Sequence, residues 1–217
     1  MKIVLDFDDT IFNTHQMMAE LVKISEKAGF TESEFWLAFK DNKEKVKDID
    51  VKVIVEFLYK NSAMKIFSYK KEEIIEEMAS VFLRLKEFVY PDFSDFVNCF
   101  EKKDLVILSI GKNNFQEEKI KNSGVQNFFN EIIIIPEDKV GKFKFLLQNS
   151  GDEKIFFIED SAFHIDQVKK EFPQVVSFKI ERSQGKNIET KSELTDYVVK
   201  DLEEAKKIIF GLIDNRC

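Results

Sequence analysis

Short apolar runs rich in β-branched residues recur along this chain and constrain its fold more than any other feature. The first run is KIVLDF at residues 2–7, and the later ones lie at residues 105–110, 132–135, 155–158, 175–180 and 197–199. Each run has the length of a buried strand. Helical patterns separate the later runs, at residues 114–123, 139–150, 162–172 and 201–213. This alternation predicts an α/β fold with a Rossmann-like, mostly parallel sheet flanked by helices.

Residues 13–90 interrupt the alternation. Their apolar spacing is helical nearly throughout and is clearest over residues 71–89, whereas residues 51–58 fit either a helix or a strand. Pro91 then disfavours a helix at the residue before it. The sequence therefore predicts an α/β core made of residues 1–12 and 91–217, with an inserted α-helical cap domain at residues 13–90.

Composition excludes several classes of partner. The chain has 33 Lys and Arg against 40 Asp and Glu, a net charge of −7, which argues against a nucleic-acid binder. No apolar run reaches the roughly 20 residues that span a bilayer. Cys99 and Cys217 match neither a disulfide framework nor a zinc pattern, which suits a reducing compartment. We expect a cytoplasmic protein with no nucleic-acid or membrane partner, as a monomer or weak homodimer.

Polar residues that can carry chemistry follow four of the predicted strands. They are DFDDT at residues 6–10, Ser109-Ile110-Gly111, Asp138-Lys139 and Glu159-Asp160-Ser161. Taken singly, each fits an ordinary turn or a helix cap. The carboxyl ends of parallel strands meet at one edge of a sheet, so the four can converge. Acids, one lysine, a hydroxyl and backbone amides are what the attack of a carboxylate on a phosphate requires, and all-oxygen ligands favour Mg²⁺.

The motifs resemble those of a known family. DFDDT is similar to the first signature, DxDxT, of the haloacid dehalogenase-like hydrolase superfamily, and the four motifs occur in that family's order. The segments LSIGKNNFQEEKIKNSGVQNFFNEIII and FFIEDSAFHIDQVKKEFPQVVSFKIER resemble the regions of its second and fourth signatures. The resemblance covers the predicted core, and the insert resembles the helical cap that one large subfamily carries between its first and second motifs.

The resemblance implies roles for the acidic residues. Asp6 resembles the nucleophile that forms an aspartyl-phosphate, and Asp8 the general acid that later activates water. Mg²⁺ would be bound by Asp6, by the backbone carbonyl of Asp8 and by Asp160. Glu159 would contact the metal indirectly, through water.

The resemblance also implies a phosphate site. Ser109 and the amide of Ile110, next to Gly111, would hold the transferring phosphoryl group. Lys139 would neutralise charge on the nucleophile and the phosphate. Lys142 is the alternative, because it lies one turn further on and the third signature is degenerate.

Some positions depart from the family pattern or stay open. Asp9 stands where the family often has Gly, and His164 stands four residues after Asp160, where a second Asp is common. His164 fits either a residue facing the site or an ordinary helix-face histidine.

Two groups of cap residues also leave alternatives open. Asn13, Thr14 and His15 either touch a substrate or begin a helix. Trp36 and the Phe residues beside it either form the core of the cap or line a ligand site, and core packing is the more common use of such a cluster.

The predicted function is a Mg²⁺-dependent phosphomonoester hydrolase that acts on a small phosphorylated metabolite through an aspartyl-phosphate intermediate. A phosphosugar mutase of the same superfamily is the first alternative. A dehalogenase is less favoured, because it does not need the acid at Asp8. From another class, a non-catalytic phosphoryl-receiving or binding module would also cluster acids on an α/β scaffold.

Overall fold

The computed structural model describes residues 1–45, 49–62, 69–111, 113–151, 153–183, 187 and 190–214. Over these residues the chain forms six strands: β1 (Lys2–Leu5), β2 (Leu105–Ile110), β3 (Glu131–Ile135), β4 (Ile155–Glu159), β5 (Val176–Ile180) and β6 (Tyr197–Val199). The same ranges contain nine α-helices: α1 (Thr14–Lys27), α2 (Glu32–Lys45), α3 (Val51–Asn61), α4 (Lys71–Leu83), α5 (Phe93–Val97), α6 (Asn113–Asn122), α7 (Val140–Ser150), α8 (Ala162–Glu171) and α9 (Leu202–Asp214). None of these described helices is long and apolar enough to cross a bilayer.

The strands form one sheet in the order β3-β2-β1-β4-β5-β6, and every neighbouring pair is parallel. Strand β1 lies between β2 and β4, with Leu5 opposite Ile107 on one side and Ile158 on the other. The ends of these three strands therefore lie at the same edge, with the end of β1 in the middle. The predicted α/β fold with a Rossmann-like parallel sheet is confirmed.

Both faces of the sheet are buried, which is why its strands read as continuous apolar runs. On one face, Val4 and Phe157 pack with α7 and α8 through residues such as Phe143. On the other face, Ile3 and Phe156 belong to a larger apolar cluster that continues into the helices of the insert.

Helices α1 to α4 occupy the predicted insert. The ambiguous run at residues 51–58 is helical, and Asp50 caps α3 by accepting from the amides of Lys52 and Val53. The helix expected over residues 71–89 ends at Leu83, and a 3₁₀ turn, Leu85–Phe88, follows it. The buried positions keep their helical spacing across this break, so the sequence pattern does not reveal it.

Two adjacent segments connect the insert to the rest of the chain. The amide of Asn13 donates to the carbonyl of Phe88 at 2.7 Å, and the amide of Tyr90 donates to that of Ile11 at 2.9 Å. This pairing brings the two predicted domain boundaries side by side, and the division into two domains stays a prediction. Of the two cysteines, Cys99 is exposed with a free thiol, and Cys217 lies outside the described residues.

Candidate active site

Asp6 directly follows the central strand β1 and is buried. The ammonium of Lys139, at the start of α7, donates to Asp6 Oδ1 and to Glu159 Oε2, both at 2.5 Å. Burial opposes the charge on Lys139, but the two carboxylates outweigh it and raise the pKa of that lysine. Lys139 is thus a fixed cation that joins the ends of β1 and β4.

Lys142, the alternative to Lys139, lies in a different place. It is exposed on the next turn of α7, where it lines a surface groove with Glu137 and Phe145. Asp138 accepts a hydrogen bond from the amide of Val140 at 2.8 Å and so caps the start of α7. The structure therefore brings Lys139, and not Lys142, into contact with Asp6.

Three acids surround the end of β1. Asp6, Glu159 and Asp160 each offer an oxygen, and these oxygens lie within 4.8 Å of one another. Burial, together with the charge of Glu159, raises the pKa of Asp6 to about 7 and that of Asp160 to about 9. Burial also opposes ionisation of Glu159, but Lys139 outweighs it and lowers the pKa of Glu159.

Lys139 pairs with Asp6 and Glu159 but not with Asp160, so full ionisation of the three acids leaves an excess of negative charge in a buried space. An all-oxygen set of this kind fits a hard divalent cation such as Mg²⁺. The residues at the end of β1 and β4 are therefore suited to the metal that the motifs predict.

Asp8 has its own set of partners. Its Oδ1 accepts from Lys119 Nζ and from Thr14 Oγ1, and its Oδ2 accepts from Gln116 Nε2 at 2.7 Å. Burial opposes ionisation of Asp8, but the charge and hydrogen bond of Lys119 outweigh it and lower the pKa. Asp8 is therefore held as a carboxylate anion.

Lys119 is buried in the interior, where an ammonium needs specific support. Its Nζ lies 5.3 Å from the ring centroid of Phe7, 5.5 Å from that of Phe12 and 5.4 Å from that of Phe115. These ring faces and the ion pair with Asp8 together stabilise its charge. Neither Lys119 nor Gln116 was among the residues that the motifs indicated.

The predicted phosphate-binding turn follows β2. Ser109 is buried and its Oγ accepts from Gln116 Nε2 at 2.8 Å, so one amide bridges Ser109 and Asp8. Ile110 is the last residue of β2. The amide of Gly111 donates to the carbonyl of Ile135 at 2.9 Å, so the free amide expected at this turn is not that of Gly111. A Cβ on Gly111 would lie 2.9 Å from Cβ of Gln116, so glycine makes room for Gln116.

The loop after β1 is bonded to the first turn of α1. Asn13 is the N-cap of this helix, as one of the two interpretations expected, and Thr14 and the amide of His15 donate to Asp8 and Asp9 respectively. Carboxylates at a helix N-terminus are electrostatically favourable. Asp9 has a φ of 55°, a left-handed conformation that favours glycine and that aspartate tolerates better than most residues.

The remaining candidates lie beside the cluster or away from it. His164 Nδ1, on α8, lies 3.6 Å from Glu159 Oε2, so this histidine faces the site. Trp36 packs against Phe35 and Phe39 within α2, with ring centroids 5.5 and 5.8 Å away. Phe35 and Phe39 belong to the apolar core of the insert, whereas Trp36 is 41% exposed and lies at the edge of that core.

The architecture defines a class of protein. A parallel sheet with acids at the ends of its central strands, and a helical insert directly after the first strand, is a capped Rossmann-like α/β protein.

Comparison with known proteins narrows this class. No protein-family model and no curated protein matches the sequence. The structure resembles a protein described as a haloacid dehalogenase-like hydrolase from Burkholderia xenovorans, with 16% identity, 97% of each chain covered and a TM-score of 0.69. It also resembles L-2-haloacid dehalogenase from Xanthobacter autotrophicus, with 16% identity, 97% and 98% coverage and a TM-score of 0.60. A third similar structure is the magnesium-bound HAD-hydrolase YfnB from Bacillus subtilis, with 15% identity, 96% and 97% coverage and a TM-score of 0.58.

The chain therefore has the haloacid dehalogenase-like hydrolase fold, as the four motifs predicted. These similarities extend over nearly the whole chain and include the helical insert. At such low identities they establish the fold, and the chemistry has to be argued from the residues of the site.

Proposed function

We propose that the chain is a Mg²⁺-dependent phosphomonoester hydrolase, which acts on a small phosphorylated metabolite through an aspartyl-phosphate on Asp6. The observation that carries this proposal is the charge of the site. Asp6, Glu159 and Asp160 are buried together, Lys139 pairs with the first two, and a further carboxylate, Asp8, lies two residues after the nucleophile. A divalent cation and a phosphoryl group together match that charge pattern.

The first step forms the covalent intermediate. An oxygen of Asp6 attacks the phosphorus atom, and the bond from phosphorus to the leaving oxygen breaks. An alkoxide leaving group needs a proton from Asp8. Lys119 and Gln116 hold Asp8 as an anion in the free enzyme. Asp8 must therefore gain a proton when the substrate binds, before it can act as this acid.

The second step releases phosphate and frees the carboxylate of Asp6. A water molecule attacks the phosphorus atom, the bond to Asp6 breaks, and the water proton passes to Asp8. The anionic form of Asp8 suits this role as general base. Lys139 remains beside Asp6 and neutralises charge on both the carboxylate and the phosphate, while Ser109 and the amide of Ile110 hold the phosphoryl oxygens.

The metal site would use the acids around Asp6. Asp6, the backbone carbonyl of Asp8 and Asp160 would hold Mg²⁺, and Glu159 would contact it through water. When bound, Mg²⁺ withdraws charge from the phosphoryl oxygens and offsets the repulsion between the acids.

A haloacid dehalogenase is the second candidate, because similar structures of nearly equal length carry that name. In that reaction Asp6 would displace a halide, which departs as an anion and needs no proton. Neither Asp8 nor an excess of acids around the nucleophile would then have a purpose. The acid cluster therefore favours phosphoryl transfer.

The two candidates release different products. The metal-stripped protein is assayed with and without Mg²⁺. One assay measures phosphate release from nitrophenyl phosphate and a panel of phosphorylated metabolites, and the other measures chloride release from chloropropionate. We expect phosphate release that requires Mg²⁺ and is lost in Asp6→Asn. Asp138→Asn is the matched control, because this exposed acid caps α7 instead of joining the cluster.

Metal-independent chloride release without phosphate release would overturn the proposal in favour of a dehalogenase. Conversion of a sugar bisphosphate to an isomeric phosphosugar, without net phosphate release, would indicate a mutase.

A further inference from the structure

Asn187 contacts one of the three clustered acids. Its Nδ2 donates to Asp160 Oδ2 at 2.7 Å. A donor on one oxygen restricts rotation of the carboxylate and so fixes where the second oxygen lies. Asn187 is far from Asp160 in sequence and belongs to none of the four motifs.

The chain around β5 holds Asn187 in place. The main-chain carbonyl of Asn187 accepts from Lys179 Nζ at 3.2 Å and from Thr190 Oγ1 at 2.8 Å. Lys179 is buried on β5, directly opposite Glu159 in the sheet register, and it also donates to Glu181 at 2.8 Å. Asn187 is thereby held beside the end of β4, where Asp160 begins the next loop.

The two sides of the acid cluster are supported in different ways. Lys139 neutralises Asp6 and Glu159, whereas Asn187 gives Asp160 a hydrogen bond without a positive charge. A neutral donor orients a carboxylate and leaves its charge available to a cation. Groups that hydrogen-bond to metal-binding carboxylates commonly set the affinity of a site in this way.

We propose that Asn187 is a positioning residue for the metal, which holds the carboxylate of Asp160 in the orientation that binds a divalent cation. This inference deepens the proposed function and rests on its metal site. Lys179 supports it from β5 by holding the backbone of Asn187.

The test measures metal binding without substrate. Mn²⁺ is titrated calorimetrically into the metal-stripped wild-type protein and into Asn187→Ala and Asn187→Leu, which remove the donor with and without loss of side-chain volume. We expect both variants to bind Mn²⁺ about 10-fold more weakly than the wild type. Asp160→Asn removes the metal-binding carboxylate itself, so its Mn²⁺ affinity shows how much binding is lost when the site is disrupted.

Ser192→Ala is the matched control in the same segment. Ser192 donates to Asp166 at 2.5 Å instead of to the cluster, so this variant loosens the segment without freeing Asp160. Its Mn²⁺ affinity should equal that of the wild type, and unfolding temperatures verify that all the variants are folded.

Wild-type affinity in both Asn187 variants would overturn the inference and leave the proposed function standing. Equal weakening in Ser192→Ala would also overturn it, because loosening of the segment would then explain the effect. Equal binding by the wild type and Asp160→Asn would overturn the proposed metal site together with the inference.

Discussion

Asp6 and Asp8 are two residues apart but have opposite electrostatic environments. Burial and Glu159 raise the pKa of Asp6 to about 7, so its charge needs the support of a cation. Asp8 is also desolvated by burial, yet Lys119 lowers its pKa. This difference matches a nucleophile next to a metal and a separate group for proton transfer.

The division of roles predicts that the loss in Asp8→Asn depends on the leaving group. Without the acid, turnover of an alkyl phosphate should fall about 10²–10⁴-fold, because its alkoxide leaves poorly without a proton. A nitrophenolate leaves as an anion, so its release in a single-turnover measurement should fall much less. Thr14→Val is the control, because it removes one hydrogen bond to Asp8 and leaves the acid in place. Equal losses of the first step with both substrates would contradict the role of Asp8.

Arg182 joins elements that are far apart in the chain. From the end of β5, it donates to the carbonyl of Thr10 and to Asp92, both at 2.7 Å, and it stacks on Tyr90 at 4.0 Å. Asp92 also accepts from the amide of Leu202 at 2.7 Å, where α9 begins. This contact fixes the acidic loop and the return of the chain from the insert against β5 and α9.

Removing the carboxylate of Asp92 should destabilise the whole fold. Asp92→Ala leaves the buried guanidinium of Arg182 without its carboxylate partner, so we expect a loss of about 3 kcal/mol in the free energy of unfolding. Urea denaturation measures this change in the free energy of unfolding. Glu87→Ala removes an exposed ion pair with Arg84 and should leave the free energy of unfolding nearly unchanged. A loss in Asp92→Ala no larger than that in Glu87→Ala would show that this contact does not hold the elements together.

Residues at strand ends could be located from the sequence, because parallel strands bring their carboxyl ends to one edge. The residues on other elements that contact them could not be located in this way, since charged residues on helices are usually solvated. Lys119 and Gln116 are examples, although positions 116, 119, 120 and 123 follow helical spacing and are all buried. Lys179 could have been noticed in a similar way, because it is a charged residue within the apolar run at residues 175–180. The partner of Asp160, Asn187, had no local signal, because only the fold brings the two together.

The insert and the sheet share one apolar cluster. Phe12 stacks on Phe7 in the acidic loop and packs against Phe88 at the return of the chain, with ring centroids 5.2 and 5.9 Å apart. Phe82 on α4 meets Phe115 on α6 at 6.2 Å. The insert is thus packed over the edge of the sheet that carries the acids. We expect it to move about the two connecting segments when a substrate enters.

The acid cluster also makes the stability of the whole molecule depend on pH and metal. Asp6 and Asp160 have folded-state pKa values of about 7 and about 9, above their ordinary value of 3.8. Their protonated forms favour the folded state, so the stability they contribute at low pH is lost as the pH rises through these values. A bound cation should restore it.

We therefore expect Mg²⁺ to raise the unfolding temperature more at about pH 8 than at about pH 5, because protons compete for the same oxygens at the lower pH. Differential scanning calorimetry of the metal-stripped protein with and without Mg²⁺ measures this difference. The double variant Asp6→Asn, Asp160→Asn should lose the effect. An equal rise at both pH values would indicate that Mg²⁺ binds elsewhere.

Trapping the covalent intermediate tests the proposed chemistry most directly. Asp8→Asn lacks the base for the second step, so rapid-quench labelling with radioactive nitrophenyl phosphate and Mg²⁺ should accumulate a phosphate that hydroxylamine releases. Peptide mapping should locate this label on Asp6, and it should be absent from the double variant Asp6→Asn, Asp8→Asn. A label on another residue, or no label while the wild type releases phosphate from the same substrate, would contradict an aspartyl-phosphate on Asp6.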